Sequence, residues 1–168
     1  MFYHKYTLGF GYTPPMLHVV VTGTFDGLHP GHRFVFRKAK ALGHRLTVVV
    51  ARDATVLRVK QRTPVHTQAV RRRAVAKVPE VNRAILGLPG PDKLAIIMRL
   101  RPDIIALGYD QRAFTKNLRA ELRFRGLRVR VVRLPAFQPH RHKSGLIRAR
   151  REREALHKAK GRGSLSKH

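Results

Sequence analysis

The sequence contains no cysteine, only 9 Asp+Glu against 36 Lys+Arg, and no long apolar run. Without cysteine, disulfides and thiolate-held metal centres are excluded. The longest apolar stretches, around residues 17–21 and 46–51, are the size of a strand, and none approaches the roughly 20 residues that a bilayer span requires. The opening Met1-Phe2-Tyr3-His4-Lys5-Tyr6 lacks the apolar centre of a secretory signal, so an intracellular, cytoplasmic location is the expectation.

The scarcity of acid leaves a formal net charge of +27, yet hydrophobic residues make up 43% of the 168. That apolar content is too high for a disordered polycation, so the charge must coat a folded core. The length suits one compact domain with a tail and excludes two large domains. Like charges repel, and a surplus of this size calls for a polyanion, either nucleic-acid phosphate or an anionic membrane.

From about residue 17 to residue 147, short apolar runs alternate with longer amphipathic stretches, the signature of βαβ units. Strands are expected at 17–22, 45–52, 81–86, 103–107 and 127–134, several of them rich in β-branched residues. Helices are expected at 31–42, 67–77, 92–100 and 115–125, the last stopped by Gly126. Strands joined through helices return in the same direction. The expected fold is therefore α/β: a Rossmann-like single domain with a mainly parallel five-stranded sheet and helices on both faces. Residues 1–16 read as an N-terminal arm, 17–147 as the domain and 148–168 as a basic C-terminal helix or tail. Between His140 and His168 there are ten Lys+Arg and two Asp+Glu, so nineteen of the surplus charges belong to the rest of the chain.

Directly after the first strand stands Gly23-Thr24-Phe25-Asp26-Gly27-Leu28-His29-Pro30-Gly31-His32, running into a helix. Its glycines let backbone approach a ligand, the helix start at Gly31-His32 offers N–H groups and a positive dipole end, and two histidine rings add donors. Donors fixed around a phosphorus centre stabilise the charge that builds there under attack.

This decapeptide resembles the HxGH signature of the cytidylyltransferase-like nucleotidyltransferases. Ala51-Arg52-Asp53, Lys60-Gln61-Arg62-Thr63-Pro64, Ala84-Ile85-Leu86-Gly87 and the segment from Pro102 to Gln111 extend the likeness to archaeal-type FAD synthase and glycerol-3-phosphate cytidylyltransferase. The resemblance covers residues 17 to about 147. It implies transfer of a nucleoside monophosphate from ATP or CTP to an acceptor phosphate, FMN or a polyol phosphate, with release of pyrophosphate and with Mg2+ or a similar divalent cation assisting. His29, His32 and Lys60 become the catalytic candidates, Lys60 reaching the triphosphate from a mobile loop. Gly23, Thr24, Phe25, Asp26, Gly31 and Asp110 become nucleotide- or phosphate-binding candidates. The other reading of Asp26 is a cap or turn former, and that of Asp110 an ordinary Asx turn. Of Arg71, Arg72 and Arg73, which fall where the family often carries one arginine, three in a row cannot all face one site. Where the family has a hydroxyl-rich Ser-Thr-Ser or Ser-Thr-Thr element, this chain has His142-Lys143-Ser144-Gly145-Leu146-Ile147. Ser144 then binds triphosphate by its hydroxyl and Lys143 by its charge. No metal ligand is assigned to a protein side chain.

The chemistry uses few cations and leaves most of the +27 over. A second expectation follows: association with RNA, structured RNA such as that of the ribosome, with Arg148, Arg150, Arg151 and Arg153 of the tail contributing. In the alternative, the chain is a ribosome-associated RNA-binding protein that keeps the nucleotidyltransferase fold with little or no catalysis.

Overall fold

In the first strand Val19 and Val21 point to one face and Val20 to the other, and all three are fully buried. A strand apolar on both sides belongs at the centre of a sheet covered twice. The computed structural model, which describes residues 16–111 and 117–137, places it there. The elements are β1 (His18–Gly23), α1 (Pro30–Lys40), β2 (Arg45–Val50), α2 (Asp53–Lys60), α3 (Gln68–Ala76), β3 (Arg83–Leu86), α4 (Ala95–Leu100), β4 (Ile104–Leu107), α5 (Leu118–Phe124) and β5 (Arg130–Arg133). The sheet order is β3-β2-β1-β4-β5 and every pairing is parallel, with Val19 level with Leu46 on one side and Ile104 on the other.

Two cores follow from the alternation. On one face Val19, Val21, Leu46, Val48 and Val50 pack against Phe36 and Ala39 of α1 and Val75 of α3. On the other, Val20, Val49, Ile105 and Leu107 pack against Ile96 and Ile97 of α4 and Leu118 and Leu122 of α5. The expected α/β class, the five strands and the helices on both faces all stand.

One element and several boundaries, those of α4 and β5 among them, differ from expectation. Residues 53–60, expected as a loop, form α2. Thr55, Val56 and Val59 are poor helix formers and Val56 is the helix's one buried residue, so neither propensity nor periodicity announced it. Lys60 is consequently the last residue of a helix closed by Gln61 in the left-handed region (φ 52°), and the mobile-loop expectation is corrected. α4 starts at Ala95 rather than Asp92, because the Asp92 carboxylate accepts the Leu94 amide in a turn (2.9 Å) that precedes the helix. β5 is shorter than expected, since Gly126 (φ 76°) turns the chain out of α5 and pairing with β4 begins only at Arg130. Residues 1–15 of the expected 1–16 arm, and residues 138–168 with the whole expected 148–168 tail, lie outside the described residues.

Candidate active site

The sheet order changes direction at β1, whose neighbours β2 and β4 lie on opposite sides, and the carboxyl ends of β1 and β4 open a crevice of the kind in which α/β proteins bind ligands. The decapeptide forms the β1–α1 side of it. Phe25 sits at φ 54° and folds its buried ring back over Gly23, where an added Cβ would stand 2.6 Å from the ring. The ring then packs edge-on to His32 (centroids 5.3 Å) and against Phe36 (5.1 Å). A phenylalanine expected as a ligand contact thus anchors the loop to the core.

Pro30 opens α1, where its missing N–H costs nothing and its fixed φ suits the helix. Two first-turn amides, those of His32 (2.9 Å) and Arg33 (3.3 Å), donate to the His29 carbonyl. The expectation of open amides at both Gly31 and His32 is therefore corrected for His32, whose N–H is taken by the His29 carbonyl. The His29 and His32 rings lie 3.8 Å apart between centroids, inclined by 31°. Burial, with the charges of His29 and Lys60 behind it, pushes His32 down to about 3. His32 is therefore neutral at physiological pH, and its Nδ1 is buried without a hydrogen-bond partner among the described residues. Lys60, at the end of α2, acts on that same ring.

Asp26 holds the loop from its other end. Its carboxylate accepts the amides of Val65 (2.8 Å) and His66 (3.0 Å) and meets the His66 ring (3.0 Å). Burial works to raise its pKa, but these hydrogen bonds outweigh it and hold the group below its ordinary value. Arg71 completes the brace. Fully buried, it donates to the carbonyls of Thr24 (2.6 Å), Ala51 (2.7 Å) and His66 (3.0 Å) and to the Asp53 carboxylate (2.6 Å). Asp53 and Gln68 bind each other reciprocally, each side chain accepting the other's backbone amide (3.0 and 3.2 Å). Four segments are so joined: the glycine loop, the end of β2, the start of α2 and the turn before α3.

Across the crevice, Gln111 donates to the Thr22 carbonyl (2.8 Å) and accepts the Gly108 amide (3.0 Å), tying β4's end to β1's. Arg133 donates to the carbonyls of Gly108, Tyr109 and Gln111 (3.0–3.3 Å). Asp110 lies on this exposed turn.

The structure thus brings His29, His32, Gly31, Gly23, Thr24, Phe25, Asp26 and Lys60 to one side of the crevice and Asp110 to the β4 side. Lys143, Ser144, Arg148, Arg150, Arg151 and Arg153 lie outside the described residues. Of the three arginines 71–73 it is Arg71 that turns inward, and Gln111 and Arg133 are supports to which the sequence reading gave no role. For Arg71 a signal existed: it stands four residues before Val75 on the same face of α3, which marks it, and not Arg72 or Arg73, as pointing inward. Among the described residues no group of three or more His, Asp or Glu is placed to hold a metal ion, and both Asp26 oxygens are engaged. A protein-held metal centre does not fit these residues.

Residues 20–150 match the family described as Cytidylyltransferase-like. The chain is 46% identical over 122 residues to an FAD synthase of Aciduliprofundum boonei, covering 73% of this chain and 80% of that one. It is 50% identical over 121 residues to an FAD synthase of Archaeoglobus profundus, covering 72% and 76%. Among solved structures it matches a lipopolysaccharide core biosynthesis protein from Thermoplasma volcanium with a TM-score of 0.69 and 37% identity, over 74% of this chain and all of the other.

Proposed function

We propose that this chain, which belongs to the cytidylyltransferase-like family and is a nucleotidyltransferase, transfers AMP from ATP to the phosphate of FMN, making FAD and pyrophosphate. The observation that carries this is the intact histidine loop at the start of α1, in a chain whose relatives at 41–50% identity are FAD synthases. A phosphate oxygen of FMN attacks the α-phosphorus of ATP, the bond from that phosphorus to the bridging oxygen breaks, and pyrophosphate leaves with the electron pair. No covalent bond to the protein is needed. Negative charge grows on the oxygens in flight, and the ring donors of His29 and His32, the Gly31 amide and the positive end of α1 stand fixed around that position. Neutral His32 donates a hydrogen bond and needs no proton from solvent. Lys60 supplies the full positive charge, and Asp26 keeps the loop in register. A divalent cation bound to ATP would supply screening of the triphosphate charge, and none of the described side chains is assigned to hold it. Lys143 and Ser144 extend triphosphate binding, and Asp110 borders the acceptor side. The domain doing this runs from 17 to 147, between the 1–16 arm and the 148–168 tail.

The test is direct: purified protein with FMN, ATP and Mg2+, followed for FAD and pyrophosphate, with CTP and glycerol 3-phosphate as the other nucleotide and acceptor. FAD from ATP alone is expected. Pyrophosphate only with CTP and the polyol phosphate would move the chain to the cytidylyl branch, and none with any pair would end the enzymatic reading.

A second property rests on the charge. A phosphate clamp uses roughly four to six cations. The net charge of +27 far exceeds that, and we read the remainder as a surface for RNA, ribosomal RNA included, to which the tail arginines 148, 150, 151 and 153 add. Co-sedimentation with ribosomal particles at physiological salt tests it; its absence would reduce the charge to a solvated coat.

A further inference from the structure

At the far end of the sheet from the histidine loop, the α5–β5 connection bounds a groove of about 850 Å³ whose rim is arginine: Arg119, Arg123, Arg128 and Arg130, over a floor of Leu127 and Val129. The sequence builds it by two periods. Arg119 and Arg123, four apart, occupy the exposed side of α5 while Leu118 and Leu122 enter the core. Arg128 and Arg130, two apart, stand on the outer side of the chain entering β5 while Leu127, Val129 and Val131 pack inward. The nearby carboxylates are spent elsewhere, since Asp92 (2.6 Å) and Glu121 (2.9 Å) both bind Arg125. Among the described residues none of the four rim arginines has an ion-pair partner; one N–H of Arg119 reaches the Val131 carbonyl (2.8 Å).

Four guanidinium groups without a carboxylate partner around one concavity repel one another, and only Arg119, through the Val131 carbonyl, returns a hydrogen bond to the fold. They suit an anion that enters a groove rather than a flat layer of lipid headgroups. All four are arginine and none is lysine, so each offers a planar fork for phosphate oxygens and a face on which a base can stack. We propose that this groove takes the phosphodiester backbone of RNA. The proposal rests on the RNA reading above and gives it a place.

The place is separate from the chemistry. Arg130 is level with Ile104 and thus with Val19, while the histidine loop leaves β1 after Gly23. Four residues at about 3.3 Å each put the two sites at least roughly 13 Å apart along the strands. RNA in the groove leaves the transfer site open.

The experiment measures binding of full-length protein to a fluorescent RNA hairpin by anisotropy across salt, for wild type, for the triple variant Arg123→Glu/Arg128→Glu/Arg130→Glu and for the milder triple with Gln. Thermal midpoints confirm that the variants fold. Each phosphate contact contributes about 0.7–0.9 to the salt slope, so losing three flattens it by about 2–3. Affinity at physiological salt is expected to fall at least tenfold. A folded variant that keeps the wild-type slope and affinity overturns the groove as the site and leaves its arginines as guards of the β5 edge. Wild-type protein that binds no RNA in a salt-dependent way overturns the RNA reading and the groove with it. Tighter binding to phosphatidylserine vesicles than to RNA overturns the choice of partner.

Discussion

Replacing Arg71 by Met keeps the length of the side chain and the helical propensity of α3 while removing every hydrogen bond the guanidinium makes. Three carbonyls, those of Thr24, Ala51 and His66, lose their donor, and Asp53 loses its cation. A hydrogen bond from a charged donor contributes about 1.5–3 kcal/mol, and an abandoned buried acceptor costs about 1–3 kcal/mol. The Asp53 arm counts for little, because its side chain is 41% exposed and solvent screens it. The carbonyls are half-buried and water replaces part of what they lose, so the sum settles near the 3–5 kcal/mol typical of removing one member of a buried charged network. In a domain of this size that is a fall in melting temperature of roughly 10 °C. The partition tests the reasoning more sharply than the total. Asp53→Asn is expected to cost under about 1 kcal/mol, and Arg71→Lys to fall between, since one ammonium cannot span three carbonyls set around a planar fork. The assays are urea and thermal unfolding of the three variants, with FAD formation measured well below the lowest melting point. There Arg71→Lys is expected to lose at least tenfold in kcat, because Thr24 belongs to the loop proposed to hold the reacting phosphates and small misplacements of that loop are costly. Arg71→Met within about 1 kcal/mol of wild type, or Asp53→Asn as damaging as Arg71→Met, would refute the account, the first by denying the carbonyls their importance and the second by assigning the energy to the ion pair.

His29→Ala and His32→Ala are each expected to lower FAD formation by about ten- to a thousandfold with little change in melting temperature, read by steady-state rates and thermal scans. Gly23→Ala puts a methyl within 2.6 Å of the Phe25 ring, so the ring must leave its contacts with His32 and Phe36; activity is expected to drop at least about tenfold, and the pair Gly23→Ala/Phe25→Leu to recover part of it, a non-additivity that a double-mutant cycle measures. His32 has its folded pKa depressed to about 3, so the unfolded chain takes up a proton near pH 6.5 that the folded chain refuses, and unfolding free energy falls by up to about 1.4 kcal/mol per pH unit from there downward. Buried His18, also depressed, first by burial, acts in the same direction, whereas Asp26, Asp53 and Asp92, also held low, withdraw their stabilisation only below the ordinary carboxylate range. Urea midpoints at pH 7 and pH 5 are therefore expected to differ less for His32→Gln than for wild type.

What could be read in the sequence was whatever repeats or concentrates. The alternation of Val19, Val20 and Val21 between two faces requires a doubly covered central strand, and that requirement alone leads to helices on both sides. The decapeptide concentrates glycines, a proline and two histidines in ten positions, and their joint spacing points to a phosphate-facing loop. What could not be read was whatever depends on one side chain finding a backbone group far away in the chain. α2 is a helix because Asp53 is held by Gln68 and Arg71, partners fifteen and eighteen residues distant, and not because of its own poor helix formers. Arg71 reaches Thr24 across 47 residues and Gln111 reaches Thr22 across 89, contacts with no period and no local composition to betray them. Asp26 shows the same division within a single residue. Its place in the motif was visible, but its partners, two amides and a ring some forty residues on, turn a carboxylate expected to meet ligand into one whose oxygens are already engaged. The histidine loop is therefore held in shape chiefly by groups outside it, and its geometry is sensitive to residues such as Arg71 that lie outside the motif.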